Sequence, residues 1–189
     1  MTIIRPPRDG ELATLGDVQR TADTVFAGTS HAEFLDGLGI DAETAVRYLA
    51  LGRLLVAQAD DGSIVGFINW WIEHAGTELT VDQVSVVPAA ARQGVGTLLL
   101  RTVVAIADDA GQSVVLNTQS DVPWNEPWYR REGFVVVDRP EWTSWMLEVV
   151  DQQTADGLDW STRVWMRKSL LRSGTTEPQR IVATSGGLV

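Results

Sequence analysis

Six residues, Arg92-Gln93-Gly94-Val95-Gly96-Thr97, follow a strand-like run, Val84-Ser85-Val86-Val87-Pro88, and three alanines, and they open an apolar helical pattern. A helix that begins directly after glycines leaves several backbone N–H groups unpaired and aimed at one spot. Their dipoles sum to a partial positive charge there, which suits a phosphate. Gly94 and Gly96 remove the side chains that would keep a pyrophosphate off the backbone, and Arg92 adds charge at the rim. Other phosphate loops fail on residues. A Walker-type loop ends in Gly-Lys-Ser/Thr, whereas Gly96 is followed by Thr97 and Leu98; the dinucleotide fingerprint needs a third glycine where Leu99 stands. An isolated Gly-x-Gly also serves tight strand–helix packing, so the turn is read with its neighbours.

The second stretch runs Asp121-Val122-Pro123-Trp124-Asn125-Glu126-Pro127-Trp128-Tyr129-Arg130-Arg131-Glu132-Gly133-Phe134. Taken together, the two stretches resemble the GNAT superfamily of acetyltransferases. In that family a strand ending in Val-x-Pro precedes Arg/Gln-x-x-Gly-x-Gly/Ala at a helix start, and a later element ends in Tyr-x-x-x-Gly-Phe. Gly94, Val95 and Gly96 match the first pattern; Tyr129, Gly133 and Phe134 match the second. The Trp-Asn-x-Pro-x-Tyr version and Arg163-Val164-Trp165-Met166-Arg167 resemble one branch of the superfamily. The resemblance covers about residues 50 to 170. One position departs: Ala91 stands where the family usually has Arg or Gln, so cofactor affinity is expected to be weakened, with Arg92 compensating.

The resemblance implies a GNAT fold, an α/β architecture with a mixed central sheet, helices on both faces and splayed strands forming the CoA cleft. It implies acetyl-CoA as co-substrate, held by Ala91, Arg92, Gln93, Gly94, Val95, Gly96 and Thr97, and direct transfer of an acetyl group to a primary amine of a small molecule or peptide. Val86 and Val87 would present main-chain groups to the pantetheine arm, with the tetrahedral-intermediate charge held by a main-chain N–H near Val86. Asn125 would donate to the cofactor. Tyr129 would protonate the departing thiolate, a task suited to a phenol that stays protonated at neutral pH. The competing role for Tyr129 and Trp128 is that of buried aromatics capping the sheet.

The attacking amine must also lose a proton. Asp82, Glu78 and Glu73 are the candidate bases; Asp82 is nearest the acetyl site by the family's strand logic, and Gln83 takes its place if the register shifts by one. Trp70 and Trp71 end a strand near the acceptor cleft, and alternation lets only one of them line it. Most of the eight tryptophans are expected to be core or edge residues. His31 and Phe26 fall in the helical region that covers the acceptor side in the family.

The elements that must position these residues read as follows. Thr2–Arg5 is β-like, and Asp9–Ala27 has helical periodicity. Asp41 caps a helix to about Ala50. Leu54–Ala59 and Ile64–Ile72 are strands joined by Asp60-Asp61-Gly62-Ser63. Leu79–Val87 is a strand that Pro88 stops. Gly94 to about Ala110 is a helix ended by Gly111. Val114–Thr118, Phe134–Val137 and Arg163–Lys168 are strands, Trp124–Arg131 is a short helix, and Trp142–Asp156 is a candidate helix. The order predicts a sheet that is antiparallel early, with a parallel crossover around the Gly94 helix. A single domain is expected over residues 1–171, with a disordered tail over 172–189.

Composition sets bounds. The net charge of −10 argues against a nucleic-acid surface. With no cysteine there is no thiol nucleophile, so a ternary complex without an acyl-enzyme is expected. His31 and His74 are too few and too separate for a zinc cluster, so no metal is expected. Met1–Gly10 lacks the apolar run of a signal peptide, and no stretch reaches the ~20 residues of a membrane span, so a cytoplasmic protein is expected; homodimerisation, common in the family that the sequence resembles, stays open. Two other readings remain at this point: a CoA-binding sensor without chemistry, favoured by Ala91, and a nucleotide-binding protein.

Overall fold

The computed structural model describes residues 1–32, 39–73 and 75–169. His74 and the tail expected over 172–189 lie outside the described residues.

The chain forms strands β1 (Ile3–Arg5), β2 (Leu54–Gln58), β3 (Ile64–Ile72), β4 (Glu78–Val86), β5 (Ser113–Gln119), β6 (Val135–Val136) and β7 (Arg163–Lys168). The helices are α1 (Leu15–Asp23), α2 (Ala42–Ala50), α3 (Val95–Asp109), α4 (Asn125–Arg131) and α5 (Ser144–Ala155). The region read as one helix over Asp9–Ala27 is α1 flanked by 3₁₀ turns at Asp9–Thr14 and Thr24–Phe26. Asp41 caps α2 as its residue type predicts, its carboxylate accepting from the Thr44 N–H at 2.8 Å.

The seven strands lie in the order β1-β2-β3-β4-β5-β7-β6. All neighbours are antiparallel except β4 and β5, whose parallel pairing needs the α3 crossover. Helix α3 buries Leu99, Leu100, Val103 and Ala107 against one face of the sheet, where Leu55, Ile68, Trp70, Leu79 and Leu116 meet it. Burying each of these large side chains contributes about 1.5–3 kcal/mol. The opposite face is covered in two parts. Leu12, Leu15, Val18 and Ala45, from the first two helical elements, sit on Leu54, Val56 and Phe67. Met146 of α5 sits on Val115 and Trp165.

Two local features shape the region between β4 and β5. The pairing of β4 with β5 covers only Glu78–Val81 against Ser113–Leu116. Beyond it, Asn117–Gln119 pair with β7 alone and Gln83–Val86 with β3 alone, so the two strands part. The second feature is a bulge: Asn69 faces Gln83 and Trp70 faces Val81, which leaves Asp82 as the extra residue of β4.

Candidate active site

The wall on the α3 side is made of backbone. Gly94 caps α3 with φ of +83°, a left-handed conformation open to glycine, and Arg92 just before it also has positive φ, +59°. The Leu98 N–H is bonded to Gly94 O at 2.8 Å. The N–H groups of Val95, Gly96 and Thr97 precede it and have no helical carbonyl to meet. A Cβ on Gly94 would meet nothing within 4 Å, whereas one on Gly96 would lie 3.5 Å from the Trp128 ring and 3.6 Å from Val86. Those are ordinary van der Waals distances, so Gly96 packs between α4 and the end of β4 with room for a methyl, and the open approach belongs to Gly94. The Thr97 hydroxyl accepts from Trp128 Nε1 at 3.2 Å, Gln93 turns its amide back to Ala89 O at 2.9 Å, and the Ala91 N–H is taken by Pro88 O at 3.1 Å.

Register decides which end-of-β4 groups face the gap. The Val87 N–H donates to Val65 O at 2.9 Å, which makes Gly66–Val86 a non-hydrogen-bonded pair. The N–H and C=O of Val86 consequently turn away from β3 toward the open side. The Val87 N–H is thus taken, while its C=O accepts from Ala90 N at 2.9 Å and keeps one lone pair for the pantetheine arm expected there.

Tyr129 lies at 7% exposure among aromatics, its ring 4.6 Å from Trp128 and 5.8 Å from Phe134. Burial pushes its hydroxyl up from the ordinary phenol range, with the nearby Arg163 guanidinium opposing the shift. The phenol thus stays protonated. Asn125, at the start of α4, donates its side-chain N–H to Gln119 Oε1 at 2.9 Å, which ties it to the end of β5.

On the α5 side the bulge exposes Asp82. Its Oδ2 accepts from Tyr48 OH of α2 and from Asn69 Nδ2 of β3, each at 2.9 Å. Neither partner carries a signal at sequence level, since Tyr48 lies 34 residues away. The other proposed bases are occupied. Glu73 is buried, accepts from the N–H groups of Ala75, Thr77 and Glu78 across its turn, and is held below the usual carboxylate range by those bonds although burial opposes them. Glu78 is held by Arg167 Nε at 2.7 Å. Gln83 donates to Ser85 Oγ at 2.8 Å.

Trp71 shares a hollow with Asp82 and Asn117, between the sheet and α5. Trp70 points the other way, into the core under α3 at 2% exposure, which removes it from the acceptor side. Five of the eight tryptophans form a continuous chain of ring contacts here: Trp71 to Trp145 (5.3 Å), Trp145 to Trp165 (5.3 Å), Trp165 to Trp160 (5.5 Å) and Trp160 to Trp142 (5.8 Å). Arg163 sits against this chain, 5.8 Å from the Trp160 ring, and donates to Asn117 Oδ1 at 2.6 Å. Burial pushes its guanidinium down to about 10. His31, expected on the acceptor cover, is buried, and its Nε2 is bonded to Asp121 Oδ1 at 2.7 Å, tying that cover to the loop before α4. Among the described residues no cluster of metal-ligating side chains forms, and no helix is long and apolar enough to cross a membrane.

Residues 50–136 match the family described as Acetyltransferase (GNAT) domain. Among solved structures, the chain is similar to PaiA N-acetyltransferase from Thermoplasma acidophilum in complex with coenzyme A, at TM-score 0.69 and 19% identity over 89% of this chain and 99% of that one. It is also similar to the ribosomal-protein-S18-alanine N-acetyltransferase from Escherichia coli, at TM-score 0.64 and 14% identity over 94% and 99%. A third similar structure is Arabidopsis thaliana Naa50 with the bisubstrate analogue CoA-Ac-MVNAL, at TM-score 0.61 and 16% identity over 89% and 99%. The stretch that builds the parted strands, the glycine turn and the tyrosine element matches the model of the Acetyltransferase (GNAT) domain, in a chain whose fold is shared with N-acetyltransferases.

Proposed function

We propose that the protein transfers an acetyl group from acetyl-CoA directly to a primary amine in the gap between β4 and β5. The observation that carries this reading is the parting of those strands after Val81, with the Val86 backbone aimed into the gap. The free N–H groups of Val95, Gly96 and Thr97 suit a pyrophosphate, and Arg92 stands exposed beside them. The Val86 N–H suits an amide of the pantetheine arm or the oxygen that gains charge as the thioester is attacked. A net negative protein can bind an anionic cofactor this way because the contacts are backbone dipoles.

In the reaction the amine nitrogen bonds to the thioester carbonyl carbon and the carbon–sulfur bond breaks. Asp82 takes the proton that the amine must lose, directly or through water, and Tyr48 and Asn69 hold its carboxylate. Tyr129 gives a proton to the leaving sulfur, its hydroxyl kept protonated by burial.

Ala91 favours a second reading, a CoA-binding module without chemistry, because a longer polar side chain is absent there. Free-thiol release from acetyl-CoA over a panel of primary amines separates the two. Amine-dependent release supports transfer. A rise in melting temperature with CoA, without release for any amine, supports the silent module; stabilisation by ATP or NAD and none by CoA would overturn both.

A further inference from the structure

Between β4, β5, β7 and α5 lies a hollow of about 190 Å³ bordered by Trp71, Thr80, Asp82, Asn117, Gln153 and Trp165. Five buried side-chain polar atoms among the described residues have no hydrogen-bond partner, and three of them belong to this wall: Thr80 Oγ1, Gln153 Oε1 and Trp165 Nε1. Thr80 and Trp165 are exposed by only 2% and 0%. Native proteins pair nearly all such groups, because an unpartnered one has lost its hydration and gained nothing. Three around one small hollow call for a partner that the chain does not supply.

The set has a definite composition. Trp165 Nε1–H only donates, Gln153 Oε1 only accepts, and the Thr80 hydroxyl does both. Asn117 adds a donor, since its Oδ1 is taken by Arg163 and its NH₂ group remains. Asp82 uses Oδ2 for Tyr48 and Asn69, which leaves Oδ1. No lysine or arginine borders the hollow.

Resting on the acetyltransferase reading above, we infer that this hollow is an acceptor subsite for a neutral group that both donates and accepts hydrogen bonds, a carboxamide or a hydroxyl, carried beside the reacting amine. Asp82 takes the ammonium. Trp165 and Thr80 give to the oxygen of the neutral group, and Gln153 Oε1 takes its N–H or O–H. Thr80 and Gln153 turn toward an occupant by side-chain rotation, and the Trp165 ring, 0% exposed, must shift to bring Nε1 to it. A free carboxylate would face Asp82 and Gln153 Oε1, both acceptors. An alkyl group would leave all three orphaned atoms unpaired, the mismatch by which sites built on hydrogen bonds discriminate most strongly.

The test adds four small amines to the CoA-bound protein: glycinamide, ethanolamine, propylamine and glycine. The Trp165 indole N–H resonance is followed by ¹H–¹⁵N NMR, assigned through Trp165→Phe or, should that buried change unfold the protein, through contacts with neighbouring rings. Acetylation rates are measured in parallel. Glycinamide, ethanolamine or both should move the Trp165 signal and exceed propylamine and glycine in kcat/KM by at least about tenfold. Thr80→Val should narrow that ratio. A signal that moves as much with propylamine, or with none of the four, overturns the assignment, the latter placing solvent in the hollow. Equal acetylation of propylamine and glycinamide also overturns it and leaves the transferase reading intact. A Trp165 shift with the amide but no acetylation of any amine keeps the subsite and overturns the transferase reading instead.

Discussion

On the α3 side of the sheet, the groups proposed to meet a ligand are main-chain N–H groups, those of Val86 and of Val95 to Thr97. On the α5 side they are side chains, Asp82, Asn117, Thr80 and Trp165, brought from three strands and steadied by residues of α2 and α5. The first side can bind one ligand chemistry with almost any local side chains, provided a glycine caps the helix. The second side can change its ligand with each substitution. A fold built this way keeps its cofactor and varies its acceptor.

Substitutions can break that contrast at graded cost. Asp82→Asn removes the proposed base but keeps a side chain of the same shape at the bulge. Turnover should fall by about 10²–10⁴ while CoA binding holds, measured by steady-state rates and calorimetry. Tyr129→Phe should cost less, about tenfold in kcat, because a thiolate with an ordinary pKa of about 8.5 leaves tolerably without a proton. Unchanged turnover would remove Tyr129 from the reaction. Ala91→Arg acts on the backbone-built side and should tighten CoA binding by about tenfold, the scale of one exposed charge-assisted hydrogen bond.

The smallest effect concerns stability. Burial pushes the Asp23 carboxyl up to about 6 from its ordinary 3.8, against a hydrogen bond from Gln19. A raised carboxyl contributes stability that is fully present below the unfolded value and lost as pH rises through about 6. Asp23→Asn should therefore raise the melting temperature at pH 8 and leave it nearly unchanged at pH 3.5. A uniform shift at both values would refute the linkage.

The same contrast explains what the sequence could tell. The glycine turn and the Tyr129 element are local patterns, so their helices, caps and the parallel crossover were legible from neighbours in the chain. That the Val87 N–H goes to Val65 and its carbonyl is shared with the 3₁₀ turn at Pro88–Ala90 follows from register and turn geometry, of which only Pro88 shows in the sequence. Glu73 and Glu78 stood behind Asp82 as candidate bases, and the N–H groups and the Arg167 that occupy them could not be foreseen because they depend on folding. Alternation required Trp70 and Trp71 to part, but the face was set by packing under α3. Tyr48, Asn69 and the tryptophan chain carried no spacing signal, because tertiary contact alone assembles the acceptor side.

Amide hydrogen exchange at residue resolution, with and without CoA, tests the proposed division of labour most directly. CoA should slow exchange at Val86 and at Val95, Gly96 and Thr97, and leave the N–H groups of the Glu73 turn and of α5 unchanged. Bound CoA with unaltered exchange at Val86 and across Val95 to Thr97 would contradict it.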